Sequence, residues 1–229
     1  MAIMGTGRVR TVAAWGAAVV MAMSTSACAS GGMGMAAMGS PDAAAFATTT
    51  AVDMAEVEEA QLALSKSQNA QVRTYAQRMV TDHAPAMQKN LQTMDAMGMH
   101  EGMDHGASGS ASASAGVSEG DASATASASG ANAMTQAMLM RNAYSRPLVD
   151  DHMRAMQMLQ STAAGMAFDR AYMQRQVAAH RSALAAIDNL VSAVQATGQT
   201  ETRGMIMRHR NLVEQHLRMA EEMMAAMGG

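Results

Sequence analysis

A single cysteine, three prolines and 3% aromatic residues in a chain of 229 set the first limits. One cysteine cannot close an internal disulfide, and without a CxxC pair neither a zinc ribbon nor a thioredoxin-type redox site can be built. Aromatic and β-branched residues are too sparse outside short stretches to support strands. Lys plus Arg do not exceed Asp plus Glu, 16 against 19, so the basic face expected of a nucleic-acid binder is missing. No serine stands in a GxSxG context and no strand pattern precedes a glycine cluster, which removes the nucleophile elbow and the phosphate loop. What the chain has in abundance is alanine and methionine, 28 Met against 10 Leu. The class left by these exclusions is all-α, with binding favoured over catalysis.

The first thirty residues have the layout of a secretory leader. Arg8 and Arg10 precede an uncharged apolar run, Thr11 to Met23, and a small-residue stretch leads into Cys28. The run is short of the roughly 20 residues that span a bilayer, so residues 1–27 are expected to be removed. Thr25-Ser26-Ala27-Cys28 resembles a lipoprotein box, with Cys28 as the lipidated first residue, although Thr25 stands where that pattern prefers Leu. Ala27-Cys28-Ala29 would also serve an ordinary small-x-small cleavage. We favour lipidation because the only cysteine falls at this spot, and a lone free thiol is otherwise odd in an exported chain. Removing residues 1–27 takes away two arginines and no acid, so the net charge moves from −3 to −5. The expected setting is the periplasm or the outer membrane, with the lipid as the only membrane link.

Beyond the leader, residues 28–41 read as a flexible tether and 42–99 as a first helical hairpin. Residues 100–133 are a Met/His segment followed by a spacer, and 134–229 form the second helical half of the same domain. In the spacer, 23 of the 28 residues from Gly106 to Ala133 are Ala, Ser or Gly. Such a stretch buries too little apolar surface to offset its chain entropy and is expected to be disordered.

Four segments place apolar residues at helical steps of three and four. The first is Phe46, Val52 or Met54, Val57 and Leu64. The second runs Val72, Ala76, Met79, His83, Met87, Leu91, Met94. The third is Met173, Val177, His180, Leu184, Ile187, Val191, Val194, and the fourth Met205, His209, Leu212, His216, Met219, Met223. With a shorter helix near Leu148 to Ala163, these predict an antiparallel four-helix bundle. An internal echo supports two related hairpins: Tyr75 to His83 and Tyr172 to His180 share Tyr, Gln, Arg, Val and His in register.

The segments Met54-Ala55-Glu56-Val57-Glu58, Gln61 to Leu64 and Ala76 to His83 resemble the front half of the bacterial domain of unknown function 4142 family. Ala167-Phe168-Asp169-Arg170-Ala171-Tyr172, Val177 to His180 and Glu214 to Ala220 are similar to its back half. The resemblance covers roughly residues 42–224 and implies an exported, ferritin-like helical bundle, often a lipoprotein, with no established activity. The long spacer and the methionine content depart from the family pattern.

Two candidate sites follow. His83, His180 and His216 lie on the apolar stripes of three helices and Glu56 on the fourth, so a bundle core could gather them around a metal ion. A ferritin-type di-iron site needs a Glu-x-x-His pair on each of two helices, which this chain lacks. Alternatively, these histidines only hydrogen-bond to Tyr, Asp or Glu and fix helix register. The second candidate is Met94, Met97, Met99, His100, Met103 and His105. Thioethers with nearby imidazoles select Cu(I) or Ag(I), and Gly98 and Gly102 should break the helix and expose the later members. Here the competing reading is a solvated tail of no specific role. Further Met/His clusters, at His152 with Met153, Met156 and Met158 and at Met205, Met207 and His209, read first as packing. The expected function is capture or buffering of soft metal ions in the cell envelope. The alternatives are a structural or stress-related envelope protein without metal and, less favoured, a ferritin-like metal oxidase.

Overall fold

A computed structural model describes residues 40–98, 133–197 and 200–228. All regular structure among these residues is helical: α1 (Pro41–Lys66), α2 (Ala70–Ala96), a short helix at 133–139, α3 (Arg146–Ser161), α4 (Met166–Thr197) and α5 (Thr200–Gly228). None of these helices is long and apolar enough to cross a membrane. Cys28, the leader and the spacer lie outside the described residues.

The boundaries follow local chemistry. Ser40 caps α1, its hydroxyl accepting from the Ala43 amide at 3.1 Å, with Pro41 in the first turn where a missing N–H costs nothing. Three residues separate α1 from α2, and the Asn69 side chain accepts from the amides of Gln71 and Val72 to start the second helix. So short a link makes the pair antiparallel. Helix α2 stops where a glycine was expected to stop it, at Gly98, whose φ of +70° lies in the left-handed region. Gly165, at φ +99°, turns the chain from α3 into α4.

Helices α1, α2, α4 and α5 form the bundle, and α3 lies over α1 and α4. This arrangement corrects the stripe expected for α1. Phe46 and Leu64 are only half-buried, whereas Ala43–Ala45, Ala47 and Thr48 to Val57 are all buried. From Ala43 to Val57 helix α1 is enclosed nearly all round, because α3 and the 133–139 helix cover the face the bundle leaves open, whereas Gln61 and Ser65 in its last turns are exposed. Its alanines and threonines are small enough to let neighbours approach from all directions. On the outer face, Ala43, Ala47, Ala51 and Met54 meet Met138, Leu139 and Val149.

Two apolar blocks at one end, around Met94 and Leu139 and around Ile187, Leu190 and Ile206, face a third at the other, around Tyr75, Met79, Phe168 and Tyr172. Lys66 closes that far end. Its ammonium donates to the carbonyls of Leu159 and Gln160, at 2.9 and 2.8 Å, and lies over the Phe168 ring. It thereby satisfies the last turn of α3, whose carbonyls have no intrahelical partner. Between the apolar ends lies a buried polar belt.

Candidate metal centre

The belt begins on α1, where Asp53, Glu56 and Glu59 recur every third residue and all are buried. Opposite them stand His83 from α2, His180 from α4, and His209 and His216, two turns apart on α5; all four are buried. The echo between hairpins becomes a physical pairing: Tyr75 meets Tyr172 edge-on at 6.2 Å, and His83 meets His180 edge-on at 6.4 Å.

Each ring nitrogen can be followed. His83 Nδ1 lies 2.7 Å from Asp53 Oδ1, and Asp53 Oδ2 accepts from Asn90 Nδ2 at 3.3 Å. His216 Nε2 lies 2.9 Å from Asp82 Oδ2, and His180 Nδ1 donates to the Gln176 carbonyl at 2.8 Å. Three outer nitrogens are thus held by oxygens. The inner ones face one another: His83 Nε2 is 3.1 Å from His216 Nδ1, and His180 Nε2 is buried with no partner. One donor atom from each of these three rings lies within 4.8 Å of the other two, and Asp53, His83 and His209 form a second such trio.

Proton accounting limits what the 3.1 Å contact can be. The Asp82 carboxyl is held below its usual range: partial burial would raise it, but bonds from Arg78 and His216 more than offset that. It is therefore ionised at neutral pH, so His216 Nε2 carries the hydrogen and Nδ1 presents a lone pair. Burial lowers His216 and His83 to about 4 and His180 to about 3, so all three rings are neutral at pH 7. Two arrangements then satisfy His83. Asp53, which burial raises to about 7, can keep its proton and donate to Nδ1, while Nε2–H donates to His216. Alternatively Asp53 is ionised and takes Nδ1–H, leaving two lone pairs 3.1 Å apart that only a cation can join. A tetrahedral ion with nitrogen ligands at about 2.0–2.1 Å holds them about 3.4 Å apart, close to what is found.

Glu56, expected to join the three histidines, does not. It lies 3.5 Å from His180 Nδ1, the nitrogen already used by Gln176, and belongs to neither trio. Asp53 and His209 are the members sequence reasoning left out. Met94, expected in the mobile ligand segment, is instead fully buried within α2, where it accepts the Thr50 hydroxyl hydrogen at 3.5 Å. It lies about one turn before the glycine that ends α2, still inside the helix, and packs with the core. Met97 is half-buried against the same apolar block. Met99, His100, Met103 and His105 lie outside the described residues.

The chain matches a family model described as Domain of unknown function (DUF4142), over residues 28–160 and 120–223. It belongs to that family. No curated protein and no solved structure matches it. The family's description assigns no reaction, so the chemistry of this DUF4142 bundle has to be read from its own side chains.

A second polar cluster in the DUF4142 bundle has a different character. Glu59 accepts from Arg175 Nε at 3.0 Å and Gln176 Nε2 at 3.2 Å, and lies 3.1 Å from His152 Nδ1. His152 Nε2 meets Glu58 at 2.9 Å. With both nitrogens on carboxylates, His152 has none left for a metal, and its neighbours Met153 and Met158 are exposed. Burial opposes charge on His152, but the bonds to Glu58 and Glu59 outweigh it and raise the ring to about 9. The unfolded ring titrates near 6.5. Its stabilisation is therefore complete below pH 6.5 and is lost as pH rises through 9. We predict that the stability gap between wild type and His152→Gln, read by urea denaturation, narrows by about 3 kcal/mol between pH 6 and 9.5. A constant gap would mean that His152 is neutral in the fold.

Proposed function

We propose that this protein is a metal-binding helical bundle that holds a first-row divalent transition-metal ion in its core, on His83, His180 and His216. The observation that carries this reading is the hydrogen-bond pattern of the three rings. Metal-ligating histidines characteristically give their second ring N–H to a carboxylate or carbonyl, which fixes tautomer and orientation. Asp53, Gln176 and Asp82 supply those acceptors to the three rings in turn. The unpaired nitrogen of His180 fits the same account, since a buried polar atom without a partner costs about 1–3 kcal/mol and is accounted for by an ion. Imidazole and carboxylate donors suit Zn(II), Cu(II), Fe(II) or Ni(II). Soft Cu(I) or Ag(I) fits the thioethers of Met97, Met99 and Met103 better, and capture of such ions by that segment with His100 and His105 is proposed as a separate activity.

The leader pattern supports an envelope location with a lipid at Cys28, and the lack of a nucleophile elbow and of a phosphate loop in the sequence supports binding over catalysis. A second reading, a scaffold without metal, is favoured by the continuous chain Asp53–His83–His216–Asp82, which can be fully satisfied by protons alone. That chain leaves His180 and His209 unexplained.

The test is titration of the chelator-stripped full chain with Zn(II) against a chromophoric chelator, with metal analysis after desalting. Retention of tightly held metal is expected. A chain that desalts free of Zn(II), Cu(II), Fe(II) and Ni(II) alike would leave the scaffold reading in place.

A further inference from the structure

We propose that His83 bridges two ions, the second held by Asp53, His83 and His209. This extends the single-ion reading and rests on it. His83 is the middle ring of the cluster, with centroids 5.0 Å from His216 on one side and 5.9 Å from His209 on another. An imidazole points its two nitrogens in different directions. Nε2 faces His216, while Nδ1 lies 2.7 Å from Asp53 Oδ1. The same Asp53 oxygen lies 3.6 Å from His209 Nε2, and one donor atom from each of the three residues lies within 4.8 Å of the other two.

The observation independent of the first site is His209 itself. Its side chain is 5% exposed, and Nε2 has no hydrogen-bond partner. If Asp53 served only to orient His83, its bonds to His83 and Asn90 would complete that task. Nothing would then require an imidazole from a different helix, aimed at the same carboxylate and too far for a hydrogen bond. The two histidine nitrogens left unpaired in the core thus sort one to each trio: His180 to the first, His209 to the second, with His83 common to both.

The second ion takes the place of the Nδ1 proton of His83, which leaves to solvent, and the ring becomes a bridging imidazolate. With the Asp53 carboxylate this places two negative ligands on the divalent ion; because Asp53 is already ionised when it accepts that N–H, the exchange adds one positive charge to the core, against two if the ring stayed neutral. Asn90 and Thr49 hold the carboxylate in place: Asn90 Nδ2 donates to Asp53 Oδ2 and, at 3.1 Å, to Thr49 Oγ1.

Cu(II) is the probe that distinguishes one ion from two, because spins on two coppers sharing an imidazolate couple. The full chain, stripped of metal, is titrated with Cu(II), desalted, and followed by metal analysis and electron paramagnetic resonance. Two ions per chain are expected, with the signal of the first equivalent weakening as the second enters. His209→Leu is expected to hold one fewer ion and keep an uncoupled signal, with a melting curve showing that it folds. One ion in the wild type overturns the bridge and leaves the first site standing, whereas no retained ion removes both. Two ions without coupling, or no loss in His209→Leu, would place the second ion elsewhere, at the Met/His segment for example, and also overturn the bridge. The coupling is read on the unaltered chain, so a variant that misfolds does not remove the test.

Discussion

His180→Leu is expected to leave the metal-free protein at least as stable as the wild type while lowering its affinity for the core ion by more than a hundredfold. His180 is a neutral ring, 1% exposed, with one nitrogen unpaired and the other on a helix carbonyl. Without metal, the unpaired nitrogen costs about 1–3 kcal/mol, and an apolar side chain of comparable volume removes that cost with little repacking. Glu56, its neighbour at 3.5 Å, loses nothing it needs. Burial, and then Glu59 beside it, push the Glu56 carboxyl well above its usual range, so it is neutral and no charge is stranded. Loss of an outer-sphere partner already costs about 10–100-fold in metal affinity, and a direct ligand costs more. Thermal melts of the stripped proteins and chelator competition read both halves. The scaffold reading expects neither protein to retain metal, and a wild type that holds the ion no more tightly than His180→Leu would sink the metal site.

Glu59→Ala is expected to act almost entirely on stability. Glu59 has no exposure and receives Arg175, His152 and Gln176 at once. Removing it leaves a guanidinium that is 9% exposed with only Asp151 for a partner, and an imidazolium with only Glu58. Breaking one side of a buried ion network costs about 3–5 kcal/mol, on the order of 10 °C in Tm for a domain of this size. The network ties α1 to α3 and α4 but contributes no donor to either trio, so metal affinity should stay within about tenfold, the lower end of an outer-shell effect. A urea-denaturation loss under about 1 kcal/mol would show that the network is a surface decoration rather than a tie between helices.

The helical architecture was legible because three of the four bundle helices carry apolar residues on one face. His83, His180 and His216 could be placed on that face by spacing alone, and the Tyr–His echo marked two related hairpins, one carrying His83 and the other His180. Asp53 and Glu59 could not be found the same way. From Ala43 to Val57 helix α1 is buried nearly all round, so no contrast between an apolar and a polar face marks which carboxylates turn inward, and a step of three is equally the signature of a solvated face. His209 sat on the expected stripe, but spacing does not convey that its nitrogen shares an oxygen with His83. Met94 shows the reverse error. Its neighbours in sequence suggested a mobile ligand, although its place on the His83 stripe already marked it as core.

Of the chain Asp53–His83–His216–Asp82, only Asp82 reaches water; its side chain is 20% exposed and salt-bridged to Arg78, whereas the other three are fully buried. Any ion or proton reaching the centre by that route passes one carboxylate under one arginine. The centre would then come to equilibrium with its surroundings at the rate at which α2 and α5 part, which is slow compared with diffusion. A bundle that held metal in this way would keep a record of the metal it last met, where an exposed ligand cluster reports only the metal present now.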